Sequence, residues 1–334
     1  MPRSEATSYP YSFIGGCVKR LFLLFVVILV STLAFPWGDE GHKLINKTAV
    51  AAIPADMPAF FKAGSEKIIY NAPEPDRWRE MLEPSLKFAQ EADHYIDLER
   101  VSDIGEFPVG RYEFIRWAYA KRLRVTDHSD DYLPEKIGFQ PYIAAEVYGR
   151  LKVAFRQYRA LKAAGQSTDA VENDALFYAG WLGHYVGDGC NPLHTSIYYD
   201  GWVGANPNGY TTEKVHWLVE SGFVHNNLDK LDPSALMKSA SSVEDPFHQY
   251  IAYLKESNTF VEQVYQIEKR GGFKDQGTDE GRDFIRQRMA FGAQELVNLW
   301  YTAWKESEKP VPPYKPPVTT TPATTSPAPA TPKQ

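Results

Sequence analysis

Apolar residues return every three or four positions over most of the chain, the period of helices that bury one face. Ile143, Val147, Leu151, Phe155, Tyr158 and Leu161 form one such stripe, and Phe114, Trp117, Ala118 and Leu123 form another. The stretch 110–165 therefore reads as helical core with no chemistry of its own. Ala175, Leu176, Ala179, Trp181 and Leu182 predict a helix running into His184, and Gly189 and Pro192 predict its end. Leu44, Ile45, Thr48, Ala49 and Ala52 predict a helix behind His42. Further helices are expected from Glu80 towards His94, from near Thr212, over 245–269 and over 281–306. The last has Phe284, Met289, Leu296, Leu299 and Trp304 at buried-type positions. No stretch suggests a strand-rich domain or an internal repeat. The expected fold is all-α, a single-domain multi-helix bundle.

The two ends break the pattern. Lys19 and Arg20 precede an apolar run from Leu21 to Phe35, short for a membrane span and suited to a secretory leader. Residues 1–36 are read as a signal peptide, 37–309 as the folded domain and 310–334 as a disordered tail. The tail holds nine Pro and six Thr and has no apolar period. The expected location is secreted or periplasmic, with no stable membrane association once the leader is removed. Composition adds an electrostatic constraint. The net charge is −6, and removing residues 1–36 takes away three positive charges and one negative, leaving −8. No global basic field draws in a polyanion, so attraction must be local. Cys190 is the only cysteine after residue 36, which rules out an internal disulfide in the domain.

Candidate chemistry is concentrated in His184-Tyr-Val-Gly-Asp188-Gly-Cys-Asn-Pro-Leu-His194. His184 and Asp188 stand at i and i+4 on one helix face, and the helix stop turns His194 back towards them. Imidazole and carboxylate together suit zinc or another first-row metal, although an isolated pair of this kind is also common on helix surfaces. Other segments add to the set. Trp37-Gly-Asp-Glu-Gly-His42 offers His42 and, if Trp37 is the mature N-terminus, its amine and carbonyl. Asp76 stands in a Pro-broken loop, His94 follows with Asp93 or Asp97 placed to orient an imidazole, and His216 and Glu220 repeat the i, i+4 spacing. His128 reads as a solvated loop residue, His225 falls off the ligand face, and His248 has no partner in sequence. The loop from Tyr198 to Tyr210 could cover the site, with Tyr198, Tyr199 or Trp202 stacking on a base, or fold onto the domain. Trp37, His42, Asp76, His94, His184, Asp188, His194, His216 and Glu220 exceed one tetrahedral site and suit two or three zinc ions.

In this order the motifs W-G-x-x-G-H, Asp before a helix, H-Y-x-D, H-x(3)-D-x(5)-H and H-x(3)-E resemble the zinc-dependent single-strand nucleases of the S-one/P-one family. The bacterial zinc-dependent phospholipases C share that family's fold. The resemblance covers about residues 37–306. It implies three Zn2+ ions: the first on Asp76, His94, His184 and Asp188; the second on His194, His216 and Glu220; the third on Trp37, His42 and a shared Asp188. It also implies phosphate binding by Arg79 and base binding by Asp97, beside Tyr95. The implied activity is zinc-dependent hydrolysis of phosphodiester bonds in single-stranded DNA or RNA and in 3′-nucleotides. Bound metal would acidify the attacking water, and Asp76 and Arg79 would be the catalytic side chains. The alternative is a phospholipase C acting on phosphatidylcholine-like lipids. Glu220 departs towards the phospholipases, since the nucleases usually have Asp there, and the nucleases' disulfides are missing. No protein partner is expected.

Overall fold

The computed structural model describes residues 38–79, 83–311 and 313. The expected leader, Trp37 and almost all of the expected tail lie outside the described residues. The fold is all-α, as the apolar period predicts, and among the described residues the only β pairing is an isolated bridge between Ile96 and Gly138. No helix of the described residues is long and apolar enough to cross a membrane.

In chain order the α-helices are α1 (Gly38–Ala51), α2 (Ala59–Ala63), α3 (Ser65–Asn71), α4 (Glu74–Trp78), α5 (Pro84–Gln90), α6 (Leu98–Ile104), α7 (Arg111–Arg122), α8 (Pro134–Ile137), α9 (Gln140–Ala163), α10 (Asp169–Cys190), α11 (Val215–Trp217), α12 (Val224–Asn227), α13 (Pro246–Asn258), α14 (Val261–Lys269) and α15 (Asp279–Glu306). A 3₁₀ turn spans Glu91–His94, another spans Pro192–Thr195, and a π turn spans Leu218–Phe223.

α10 is the central element. Asp169 and Glu172 favour its N-terminal end, where the helix dipole is positive, and every residue from Leu182 to Cys190 is buried. It packs against α9 and α15 and also meets α1, α3, α4 and α13. Aromatic packing closes the core at the end away from His184: Phe61 lies 5.3 Å from Phe155 and 5.6 Å from Trp300, and the Trp300 indole donates to the Ala179 carbonyl. α1 lies so close to α10 that a Cβ on Gly187 would stand 2.7 Å from His42 Nδ1. Only glycine permits that approach.

Several expected boundaries move. The helix expected from Glu80 is α5, which starts at Pro84 because Glu83 leaves helical conformation and caps it by accepting from Ser85 N; 80–82 lie outside the described residues. Asp76, expected in a loop before a helix, lies inside α4. The helix expected over 245–269 is two, broken at Thr259–Phe260, where the Thr259 N–H closes on the carbonyls of Lys255 and Glu256 and the Phe260 N–H on that of Ser257. The helix expected near Thr212 starts at Val215, because Lys214 takes a left-handed conformation with φ 65°.

Candidate metal centre

Five segments of the chain build the site, with His94 on the 3₁₀ turn Glu91–His94 and His216 and Glu220 on α11 and the π turn. α1 presents His42, α4 presents Asp76, and the end of α10 presents His184 and Asp188 before the 3₁₀ turn that carries His194. Segment 92–97 is held from two sides: Ile96 N donates to His194 O at 2.9 Å, Asp97 N to Ile137 O at 2.7 Å and Phe139 N to Ala92 O at 2.7 Å. Gly138 makes that clamp possible. Its φ is +99°, and a Cβ there would stand 2.1 Å from Tyr95 O.

Four donor atoms converge at the centre. His94 Nδ1 lies 3.0 Å from His184 Nε2 and 3.1 Å from Asp188 Oδ2, and His184 Nε2 lies 3.3 Å from Asp188 Oδ2. Asp76 Oδ1 is 3.8 Å from each of the two imidazole nitrogens. Zinc bonds of about 2.0–2.1 Å to N and O in a tetrahedron imply donor separations of about 3.3 Å, which these edges bracket. The tautomers agree with this. His184 Nδ1 is 3.0 Å from the Ala72 carbonyl, which can only accept, so Nδ1 carries the proton and Nε2 presents a lone pair to the carboxylates. Burial, reinforced by His42, holds His184 well below the usual imidazole range, so it is neutral. His94 is pushed down to about 3 by burial and then by Arg79. A neutral lone pair facing carboxylates is repulsive unless a cation stands between them.

The second cluster joins His194 Nε2 to Glu220 Oε1 at 2.9 Å and His216 Nε2 to Glu220 Oε2 at 2.7 Å. His194 Nδ1 donates to the His94 carbonyl at 2.8 Å, so its Nε2 faces the acids. Burial alone would lower the His194 pKa, but Asp188 and Glu220 outweigh it and bring it up to about 9. Glu220 and Asp188 are held well below the carboxylate range: burial would raise both, and neighbouring imidazoles prevail. The third group is His42, stacked on His184 with ring centroids 4.0 Å apart and with Nε2 3.4 Å from Asp188 Oδ1. Trp37, expected to complete it, lies outside the described residues.

The donor set fits metal. His42 Nε2, Asp76 Oδ2 and Asp188 Oδ1 are buried and have no hydrogen-bond partner among the described residues, and both oxygens lie within 3.9 Å of His42 Nε2. So many orphaned polar atoms in one place is rare in a folded interior unless an ion binds there. Three triads, His42–His184–Asp188, Asp76–His94–His184 and His194–His216–Glu220, each place their ligand atoms within 4.8 Å of one another.

His94, His194 and His216 of the centre line a cleft of about 1090 Å³, together with Arg79, Tyr95, Asp97 and Tyr199 among others. Arg79 Nη2 donates to Asp76 Oδ1 at 2.5 Å, which fixes the guanidinium at the lip. Tyr95 donates its hydroxyl to Glu135 O at 2.6 Å. Asp97 has its pKa raised to about 8 by burial and then by Glu99, so near neutral pH it is mostly protonated and both donates and accepts.

One expectation is corrected here, and one open alternative is narrowed. Neither Asp93 nor Asp97 orients an imidazole: Asp93 is held by Arg111 at 2.9 Å, and backbone carbonyls orient His184 and His194. Of the three loop aromatics, Tyr198 and Trp202 stack on each other at 4.5 Å and fold onto Tyr265, leaving Tyr199 on the cleft wall. His128 is exposed as expected, yet it too lines the cleft. Three functional residues escaped sequence reasoning. Asn191 donates to Glu220, and Gln140 Nε2 donates to the carbonyls of Tyr185 at 3.1 Å and His94 at 3.3 Å. Gly187 provides the room for His42. A glycine four residues after Gly183 on one helix face was the only sequence signal for any of them.

No protein-family model matches the chain, and no curated protein matches it. Among solved structures the chain is similar to the alpha-toxin of Clostridium perfringens from an avian strain, at 12% identity and a TM-score of 0.35. The match covers 80% of this chain and 63% of that one, so this chain spans less than two thirds of the toxin's length.

Proposed function

We propose that the chain is a zinc-dependent phosphodiesterase acting on single-stranded nucleic acids and 3′-nucleotides. The observation that carries the reading is the buried cage of His94 Nδ1, His184 Nε2, Asp76 Oδ1 and Asp188 Oδ2, whose His94 lines the cleft. The ordered motifs that resemble the single-strand nucleases support the substrate class. His194, His216 and Glu220 would hold a second ion, and His42 with Asp188 a third.

Bound zinc supplies Lewis acidity and lowers the pKa of water in the site. The protein's own residues do the rest. Asp76 Oδ2, buried and without a hydrogen-bond partner among the described residues, would accept a hydrogen bond from the attacking water and orient it. Arg79, beside it at the lip, neutralises a non-bridging phosphate oxygen through a charge-assisted hydrogen bond. Asp97 and Tyr95 flank the space for a base, and Tyr199 offers a ring face 57% exposed. The cations are local, which reconciles an acidic chain with a polyanionic substrate.

A second reading, phospholipase C acting on phosphatidylcholine-like lipids, is favoured by Glu220 as the last ligand carboxylate. The acidic cleft residues Glu91, Asp127 and Asp131, with Tyr132 nearby, would also suit a cationic head group. The test is to give the metal-loaded protein single-stranded DNA, a 3′-nucleotide and phosphatidylcholine side by side, with chelated protein and Asp188→Asn as controls. Turnover of the first two, lost together with zinc in Asp188→Asn, is expected. Faster cleavage of the lipid hands the assignment to the second reading. No turnover of any of the three by zinc-loaded protein leaves a metal-binding protein without this activity.

A further inference from the structure

We propose that the outer face of α7 is a landing track for single-stranded nucleic acid outside the cleft; the proposal rests on the nucleic-acid reading above and deepens it. Residues 111–124 carry five basic side chains and one acidic, Glu113, which is buried, in a chain of net charge −6. Three of the five are engaged: Arg111 by Asp93, Arg122 by Asp130, and Lys121 over the Tyr132 ring. Arg116 and Arg124 are exposed, and among the described residues neither side chain has a hydrogen-bond or ion-pair partner.

The arginines do not stand alone. Positions 112, 116, 119 and 123 share one helix face, and Tyr112, Tyr119 and Leu123 are 83%, 43% and 83% exposed there. Among the described residues no aromatic ring packs on Tyr112 or Tyr119. The face therefore alternates phenol, guanidinium and phenol, with Arg124 just beyond. Seven helical residues separate the two rings by about 10.5 Å along the axis, close to three stacked nucleotide steps of about 3.4 Å. Stacking on aromatic faces with cations between them is how sequence-tolerant single-strand grooves work. The track also leads to the site, since Val125, Asp127 and His128, the next residues along, line the cleft. A lipid surface is the competing occupant. The interleaved guanidinium, with Leu123 the only aliphatic side chain among the four positions, favours a stacked polyanion.

The track would make binding depend on polymer length while leaving mononucleotide chemistry untouched. The test compares wild type with a protein carrying Tyr112→Ala, Arg116→Ala, Tyr119→Ala and Arg124→Ala, and with Arg116→Glu alone. All of these positions are exposed, and the single change guards against a folding defect. The readouts are KM for a twelve-nucleotide oligothymidylate, a three-nucleotide one and a 3′-nucleotide; anisotropy with a phosphorothioate twelve-mer at several salt concentrations; and pelleting with phosphatidylcholine–phosphatidylglycerol vesicles. Expected are a KM and Kd about 10-fold higher for the twelve-mer in the quadruple variant and no change for the two short substrates. The log–log salt slope should shrink by about 0.7 for each phosphate that is no longer neutralised. If wild type cuts oligonucleotides and the variants match it on the twelve-mer, the track is wrong while the nuclease reading stands. If wild type neither binds nor cuts the twelve-mer, both fall together. Vesicle pelleting abolished in the variants with twelve-mer binding intact assigns the face to lipid and overturns the proposal.

Discussion

A carboxyl on α15, that of Glu295, is only 5% exposed, and its Oε1 has no hydrogen-bond partner among the described residues. Burial outweighs a hydrogen bond from Gln249 and pushes its pKa up to about 7. A folded pKa above the unfolded one contributes stability that is present in full below about 4.5 and lost as pH rises through about 7. Glu295→Gln should therefore melt higher than wild type at pH 8 and no higher at pH 4, by on the order of 3 kcal/mol at the upper pH. Thermal melts at the two pH values check this, and equal differences at both would refute the burial account. The same scale shows where sequence reasoning reaches. His184, Asp188, His216 and Glu220 are legible because helical spacing alone places each pair on one face. Gln140 and Asn191 are not, because each acts on atoms between 29 and 46 residues away, a relation only the fold creates.

Among the elements, α9, α10 and α15 declare themselves through long apolar periods, and the structure differs mainly at their ends. The break at Thr259–Phe260 carries no Gly or Pro, and Lys214 belongs to no residue class that announces a left-handed turn, so neither is legible in the sequence. The contact between α1 and α10 is equally hidden, although it sets the position of His42. Gly187→Ala would put a methyl 2.7 Å from His42 Nδ1 and 3.1 Å from Cε1, on a ring already stacked against His184. Overpacking of this kind costs about 1–3 kcal/mol. The expected result is a lower melting temperature together with loss of part of the bound zinc by elemental analysis. A variant with lower stability and full zinc content would show that His42 takes no part in metal binding.

Across the whole molecule, Asp188 stands where the three groups meet. Its Oδ2 faces His94 and His184, while its Oδ1 faces His42 at 3.4 Å and His194 at 3.9 Å. One rigid carboxylate at the end of a buried helix therefore serves different clusters with different oxygens. A cation held by Oδ2 would fix the plane of the group and with it the position of Oδ1, so the sites should load cooperatively rather than one by one. Coupling between sites is typically on the order of 1–3 kcal/mol. Calorimetric titration of zinc into chelator-treated protein should give one steep step, and Asp188→Ala should leave a shallower curve with fewer ions bound. Three independent steps in the wild type would show that each cluster is its own site. On a steep curve partially loaded molecules are rare, so a falling zinc supply reduces the number of active molecules rather than the activity of each.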